Sequence, residues 1–239
     1  MKTFVLAFGA HPDDVELGCG GTLAKLVEEG KVCAIVDLTK GELGTRGTEE
    51  TRKQEAKNAA EILGISVREN LGFRDGFLQN SEENQLEIVK MVRKYRPEIV
   101  LANATDDRHP DHAKAAKIVL DACFLSGLRK LETVMDGEVQ EAWRPKHIFH
   151  YMQWKDVQPD FVVDISEQLN KKIDACLAFK TQFYDPTSKE PETPITSKDF
   201  LESLSYRAQN LGRLSGVPHA EAFTKEKLFA LKNFDGIVC

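Results

Sequence analysis

Apolar runs alternate with amphipathic stretches along nearly the whole chain. Residues 3–8 (TFVLAF) read as a buried strand, because an unbroken apolar run bounded by turn residues suits a strand covered on both faces. Residues 32–38 (VCAIVDL) and 99–102 (IVLA) read the same way, and a short strand is placed around Leu71. Between them, residues 20–29, 48–63, 84–95 and 111–124 carry helical spacing. Thr48 is the N-cap of the second of these and Gly64 lies just past its end, while Pro97 closes the third. Strand-like runs follow at 147–152 and 161–163, then a helix at 167–183. Residues 185–197 (DPTSKEPETPITS) hold three prolines and no apolar period, which predicts a surface loop. The last 40 residues read as one helix and an irregular tail with a late apolar run at 228–234. Strands alternating with helices predict the α/β class: a doubly wound, mostly parallel, Rossmann-like sheet with helices on both faces. Ligands of such sheets sit beyond the C-terminal ends of the strands. Residues 1–239 are read as one domain.

Composition narrows the function classes. The 239 residues are 41% hydrophobic and 29% charged, ordinary for a globular chain that needs no covalent staples. No run approaches the roughly 18 apolar residues of a membrane-crossing helix. Asp13 and Asp14 end the first apolar run where a signal peptide would carry small residues, so the start reads as a strand. The net charge of −6 argues against nucleic acid as a partner and leaves a small molecule as the expected one. Five scattered cysteines without a CxxC predict no disulfide framework and a cytoplasmic setting.

Two segments carry the chemistry. AHPDD, residues 10–14, follows the first strand directly, and DRHPDH, residues 107–112, follows the strand at 99–102 by a few residues. Both should reach the same edge of a parallel sheet. A single His-Pro-Asp is most simply a capped helix start; two copies behind strands of one sheet make a site. Two neutral imidazoles and one carboxylate suit zinc with its fourth position open. Zinc brings the pKa of a bound water to about 7 and polarises a carbonyl. A spare carboxylate would act as general base, and a spare imidazole would stabilise an oxyanion or protonate a leaving amine. The residue types alone do not decide which histidine is a ligand, nor choose between Asp13 and Asp14. Gly18, Gly20 and Gly21 form GxGG rather than the dinucleotide pattern GxGxxG, so they read as a tight turn. His147, His150 and His219 lack partners at ligand spacing, and no nucleophile elbow surrounds Ser203 or Ser205.

Taken together, these segments resemble the PIG-L/LmbE-like zinc N-deacetylase family. AHPDD, the glycine-rich LGCGGTLA and the later HPDH carry the likeness, which extends through TKGELGTRGT, TRKQEA, RDG, DRHPDHAKAA and GVPHAEAF. TKGELGTRGT, QPDFVVDIS and the loop ending TPIT look like the bacillithiol-biosynthesis branch, whose enzymes remove the acetyl group of N-acetyl-glucosaminyl malate. The resemblance implies His11, Asp14 and His112 as ligands of one zinc per subunit, although such a shell also accepts other divalent metals. It implies Asp13 as general base, His109 as oxyanion stabiliser or acid, and Asp111 as the residue that orients a histidine. It further implies an amino-sugar conjugate as substrate and a homo-oligomer. Arg46, Arg52 and Arg108 are the candidates for the malate carboxylates, which a guanidinium binds bidentately. Glu42 and Asp75 are the candidates for sugar hydroxyls. The same residues would serve a deacetylase of another N-acetyl sugar, or an amidase of a thiol conjugate. A non-catalytic metal- or sugar-binding module is the rival from another class, and the spare carboxylate argues against it.

Overall fold

The computed structural model describes residues 1–231 and 233. Its elements are β1 (Val5–Gly9), α1 (Asp14–Glu28), β2 (Cys33–Thr39), α2 (Glu49–Leu63), β3 (Val67–Phe73), α3 (Glu82–Tyr95), β4 (Ile99–Ala102), α4 (Pro110–Ser126), β5 (Val134–Met135), β6 (Glu138–Val139), β7 (His147–Tyr151), β8 (Phe161–Asp164), α5 (Leu169–Leu177), α6 (Lys198–Ser215) and β9 (Ala220–Lys225). Seven strands form one sheet in the order β3-β2-β1-β4-β7-β9-β8. The pairs from β3 to β7 are parallel, and β9 pairs antiparallel with both β7 and β8.

β1 is buried at all five positions because both its faces carry helices. Its side chains alternate: Val5 and Ala7 join a core with Leu23, Leu63 and Phe179, while Leu6 and Phe8 join one with Ile88, Val92 and Ile118. From β1 the chain winds one way to β2 and β3, then returns to β4 on the other side. The switch point therefore lies between β1 and β4, the strands that AHPDD and DRHPDH follow.

The doubly wound reading of the sequence describes the sheet from β3 to β7. Three elements differ. α1 begins at Asp14, six residues before the predicted helix, and breaks at Cys19 (φ −146°, ψ 21°). The amides of Gly21 and Thr22, freed by the break, donate to the Glu221 carboxylate at 3.0 and 2.7 Å. Neither Gly18 nor Gly21 has space for a side chain: a Cβ at Gly18 would run into the Tyr151 ring, and one at Gly21 would stand 2.8 Å from Ile165. Second, α5 stops at Leu177, and turns rather than helix carry the chain to Phe183. Third, the region read as an irregular tail holds β9. Its period-2 pattern is masked because the charged Glu221 points inward, where Lys172 Nζ meets it at 2.6 Å. The short β5–β6 ribbon had no sequence signal. Of the apolar run at 228–234, Leu228 is exposed, and residues 232 and 234 lie outside the described residues. No helix among the described residues is long and apolar enough to cross a membrane.

Candidate active site

The turn after β1 and the turn after β4 bring His11, His109 and His112 together, with ring centroids 4.5 to 5.5 Å apart. Asp14 opens α1 between them. Its Oδ1 lies 3.0 Å from His112 Nε2 and its Oδ2 lies 3.4 Å from His11 Nδ1. Each of these two rings has a carboxylate behind it. Asp75 Oδ1 stands 3.0 Å from His11 Nε2, with Asp111 Oδ2 at 3.8 Å, and Asp107 Oδ2 stands 2.5 Å from His112 Nδ1. A neutral imidazole donates to such a carboxylate through one nitrogen and keeps a lone pair on the other. With metal bound, the lone pairs of His11 Nδ1 and His112 Nε2 would flank Asp14. Two nitrogens and one carboxylate oxygen, each imidazole oriented by an outer carboxylate, match the donor set of a catalytic divalent metal.

The outer carboxylates can be tested separately. Asp107→Asn is expected to weaken metal affinity roughly 10–100-fold, as losses of such partners typically do. Competition with a chromogenic chelator measures this; unchanged affinity would mean that Asp107 does not orient His112.

Asp14 is held by more than the histidines. Its Oδ2 accepts from the His11 amide at 2.9 Å and from Asn103 Nδ2 at 3.0 Å, and its Oδ1 accepts from Gln153 Nε2 at 3.0 Å. Gln153 Oε1 in turn accepts from Asn103 Nδ2 and the Ala104 amide. Sequence reading did not single out Asn103 or Gln153. Their one signal is position, directly after β4 and two residues after β7, at the sheet edge where ligands sit.

The His109 ring is held differently from the other two. As N-cap of α4, its Nδ1 accepts the Asp111 amide at 3.3 Å, so the neutral ring carries its proton on Nε2. Burial, reinforced by the charges of His11 and His112, holds its pKa below the usual histidine value. The ring is thus a neutral donor on the cleft wall.

Asp13 has φ 126°, a conformation rare for a residue with a side chain. It does not cap α1; its Oδ2 accepts from Arg52 Nη2 at 2.7 Å. Arg52 also donates from Nε and Nη2 to the Pro12 carbonyl, clamping the strained turn. Burial pushes the Asp13 carboxyl up to about 7, against the opposing pull of Arg52. Both members of this pair are buried. Arg52→Met should therefore cost about 3 kcal/mol of stability by stranding the carboxylate. Urea unfolding gives the figure, and a loss under about 1 kcal/mol would show that the clamp is dispensable.

The residues expected to meet substrate have mixed fates. Arg52 is committed to Pro12 and Asp13. Asp75 holds His11 and accepts the Leu43 amide through Oδ2 at 2.9 Å, so it supports a ring rather than a sugar hydroxyl. Glu42 accepts the Asp75 amide through Oε1 at 2.8 Å and lies behind the cleft wall, its Oε2 buried and without a hydrogen bond among the described residues. Arg46 is buried and donates to loop carbonyls, away from the cleft lining. Arg108 remains. Its exposed guanidinium lies 4.4 Å over the Trp154 ring, and Trp154 stacks on Phe200. Among the described residues the guanidinium makes no hydrogen bond or ion pair, and Arg108 lines the same cleft as His109. That cleft has a volume of about 1300 Å³, several times a single sugar ring.

The chain is also similar to known proteins over most of its length. Residues 6–123 match the family model PIG-L, GlcNAc-PI de-N-acetylase. Diacetylchitobiose deacetylase of Thermococcus kodakarensis is 33% identical over 193 residues, covering 75% of this chain and 70% of that protein. The probable N-acetyl-alpha-D-glucosaminyl L-malate deacetylase 2 of Bacillus cereus is 27% identical over 212 residues, 83% of this chain and 92% of that one. A conserved protein of Thermus thermophilus, known as a crystal structure, superposes with TM-score 0.84 at 36% identity, over 97% of this chain and 99% of that one.

Proposed function

The chain belongs to the PIG-L family of N-deacetylases, and we propose that it is a zinc enzyme that removes the acetyl group of N-acetyl-glucosaminyl L-malate, as in bacillithiol biosynthesis. The observation that carries the metal and its chemistry is the pair of carboxylate-backed imidazoles flanking Asp14, with the Arg52-clamped Asp13 beside them.

In this reading His11, Asp14 and His112 hold zinc. When bound there, the metal supplies Lewis-acid polarisation of the amide carbonyl and makes water a stronger acid. Asp13 takes a proton from the attacking water at the carboxylate oxygen that Arg52 leaves free. Its raised pKa suits the task, since a base near the working pH can both accept the proton and give it up. His109 Nε2–H donates a hydrogen bond to the oxyanion of the tetrahedral intermediate. Asp13 then returns its proton to the departing nitrogen, and the products are the free amine and acetate. Asp75 and Asp111 orient His11.

Arg108 supports the choice of malate. A guanidinium held over an indole, with no hydrogen bond among the described residues, is preorganised for a carboxylate. The name of the Bacillus cereus relative points the same way. A second reading, diacetylchitobiose, has the Thermococcus relative in its favour, and a cleft of about 1300 Å³ would admit two sugar rings. Amine release from the malate conjugate, diacetylchitobiose and free N-acetylglucosamine separates the readings. Fast, chelator-sensitive release from the conjugate, with weak release from the free sugar, is the expected result; preference for the disaccharide would replace malate. Arg108→Ala should raise KM for the malate conjugate about tenfold or more, with little change for neutral acetamides, because one charge-assisted contact is lost. Equal KM values for the two substrate types in both proteins would remove Arg108 from recognition.

A further inference from the structure

The segment at residues 185–196 meets the rest of the protein through few polar contacts. Among the described residues, its hydrogen bonds outside itself go to Arg46 and Gly47. Arg46 donates through Nε to the Pro191 carbonyl at 2.6 Å and through Nη2 to the Glu190 carbonyl at 3.1 Å. The Gly47 amide donates to Glu190 Oε1 at 3.1 Å. The remaining bonds close within the segment, from Thr187 and Ser188 to Asp185, from Glu190 to Ser188 and between Thr193 and Thr196.

The clasping residues are themselves anchored. The Arg46 carbonyl accepts from Gln182 Nε2 at 3.2 Å. Gly47 has φ 73°, and a Cβ there would stand 2.9 Å from Thr181. Both segments that the clasp joins contribute to the cleft lining: Leu43, Gly44 and Thr45 from one, Thr193, Pro194 and Ile195 from the other. Arg46 is 6% exposed and is spent on main-chain carbonyls. Its planar fork meets both at once, which the single ammonium of a lysine does not reproduce.

We infer that Arg46 is a positioning residue, a clasp that joins these two segments into one rim and thereby sets the affinity for whatever the substrate carries beyond the acetylated sugar. The substrate side of this inference rests on the deacetylase reading; the clasp does not. In such an arrangement Arg46 affects binding of the conjugate and leaves the reacting amide alone, so KM changes and kcat does not.

The test uses the full chain with Arg46→Met and Arg46→Lys. Trypsin at the exposed Lys189 reports loop release, and steady-state rates on the malate conjugate and on free N-acetylglucosamine report the rim. The Met variant should be cut about tenfold faster, because local opening exposes the bond. It should show KM for the conjugate raised about tenfold, with kcat and the kinetics of the free sugar within about twofold of wild type. The Lys variant should fall between. Unchanged cleavage overturns the clasp. Faster cleavage with unchanged KM overturns the link to substrate, as does an equal fall in kcat on both substrates. A wild type inactive on every acetamide would sink the deacetylase reading, and the proteolysis arm would still decide the clasp.

Discussion

Replacing Asp13 with Asn should lower turnover about a thousandfold while the protein keeps its full metal content. General-base catalysis typically contributes between about 10² and 10⁴ in rate. Asn nearly matches Asp in size, and its carbonyl still accepts the Arg52 hydrogen bond, so the strained turn at φ 126° keeps its clamp. What Asn lacks is any capacity to take a proton at neutral pH. The metal should remain, because the proposed donors are His11, Asp14 and His112. The pH profile gives an independent reading. The base works only when ionised, and burial pushes Asp13 up to about 7. The kcat/KM of the wild type should therefore fall tenfold per unit on the acid side of a midpoint at or below about pH 7, since a nearby cation lowers a carboxylate pKa. The residual rate of the Asn variant should lack that limb. Turnover within tenfold of wild type, or loss of metal together with activity, would remove Asp13 from the role of base.

What could be read in the sequence follows from how local each signal is. The strands β1 and β4 are continuous apolar runs, and the residues after them are dense in histidine and aspartate, so fold edge and site coincide in a short stretch. The cluster of His11, Asp14, His109 and His112 needed only the parallel pairing of those two strands with β1 and β4 side by side. The outer carboxylates were harder. Asp107 stands five residues before the ring it orients, whereas Asp75 meets His11 across 64 positions. The arginines illustrate the limit most clearly. Arg46, Arg52 and Arg108 look alike in a sequence, as charges in or beside motif segments. Burial separates them: one ties down a loop some 145 residues away, one clamps Asp13, and one is left open to the cleft. The same holds for β9, where a buried Glu221 interrupts the alternation that would have announced a strand.

Removing the ring of His112 should abolish stoichiometric metal binding and, with it, activity. His112→Ala deletes the Nε2 donor that faces Asp14, and the affinity loss should exceed the roughly 100-fold ceiling seen for outer partners. A competition of protons with metal adds a second, sharper test. In the apo protein, burial alone would lower the His112 pKa, but the Asp14 charge and the Asp107 hydrogen bond overcome it and push it up to about 9. His11 is likewise held well above its usual value, with burial outweighed by Asp111, Asp14 and Asp75. Metal must displace these protons, because a protonated nitrogen has no lone pair to offer. Apparent affinity in the wild type should therefore climb with pH at one to two decades per unit from neutrality, and the His112 share should flatten near pH 9. The His112→Ala variant should lose one decade per unit from that slope along with most of its affinity. Calorimetry in buffers of different ionisation enthalpy counts the released protons directly. A wild-type profile flat between pH 6.5 and 9 would mean that His112 sheds no proton on binding, and the ring would have to be placed outside the metal's donor set.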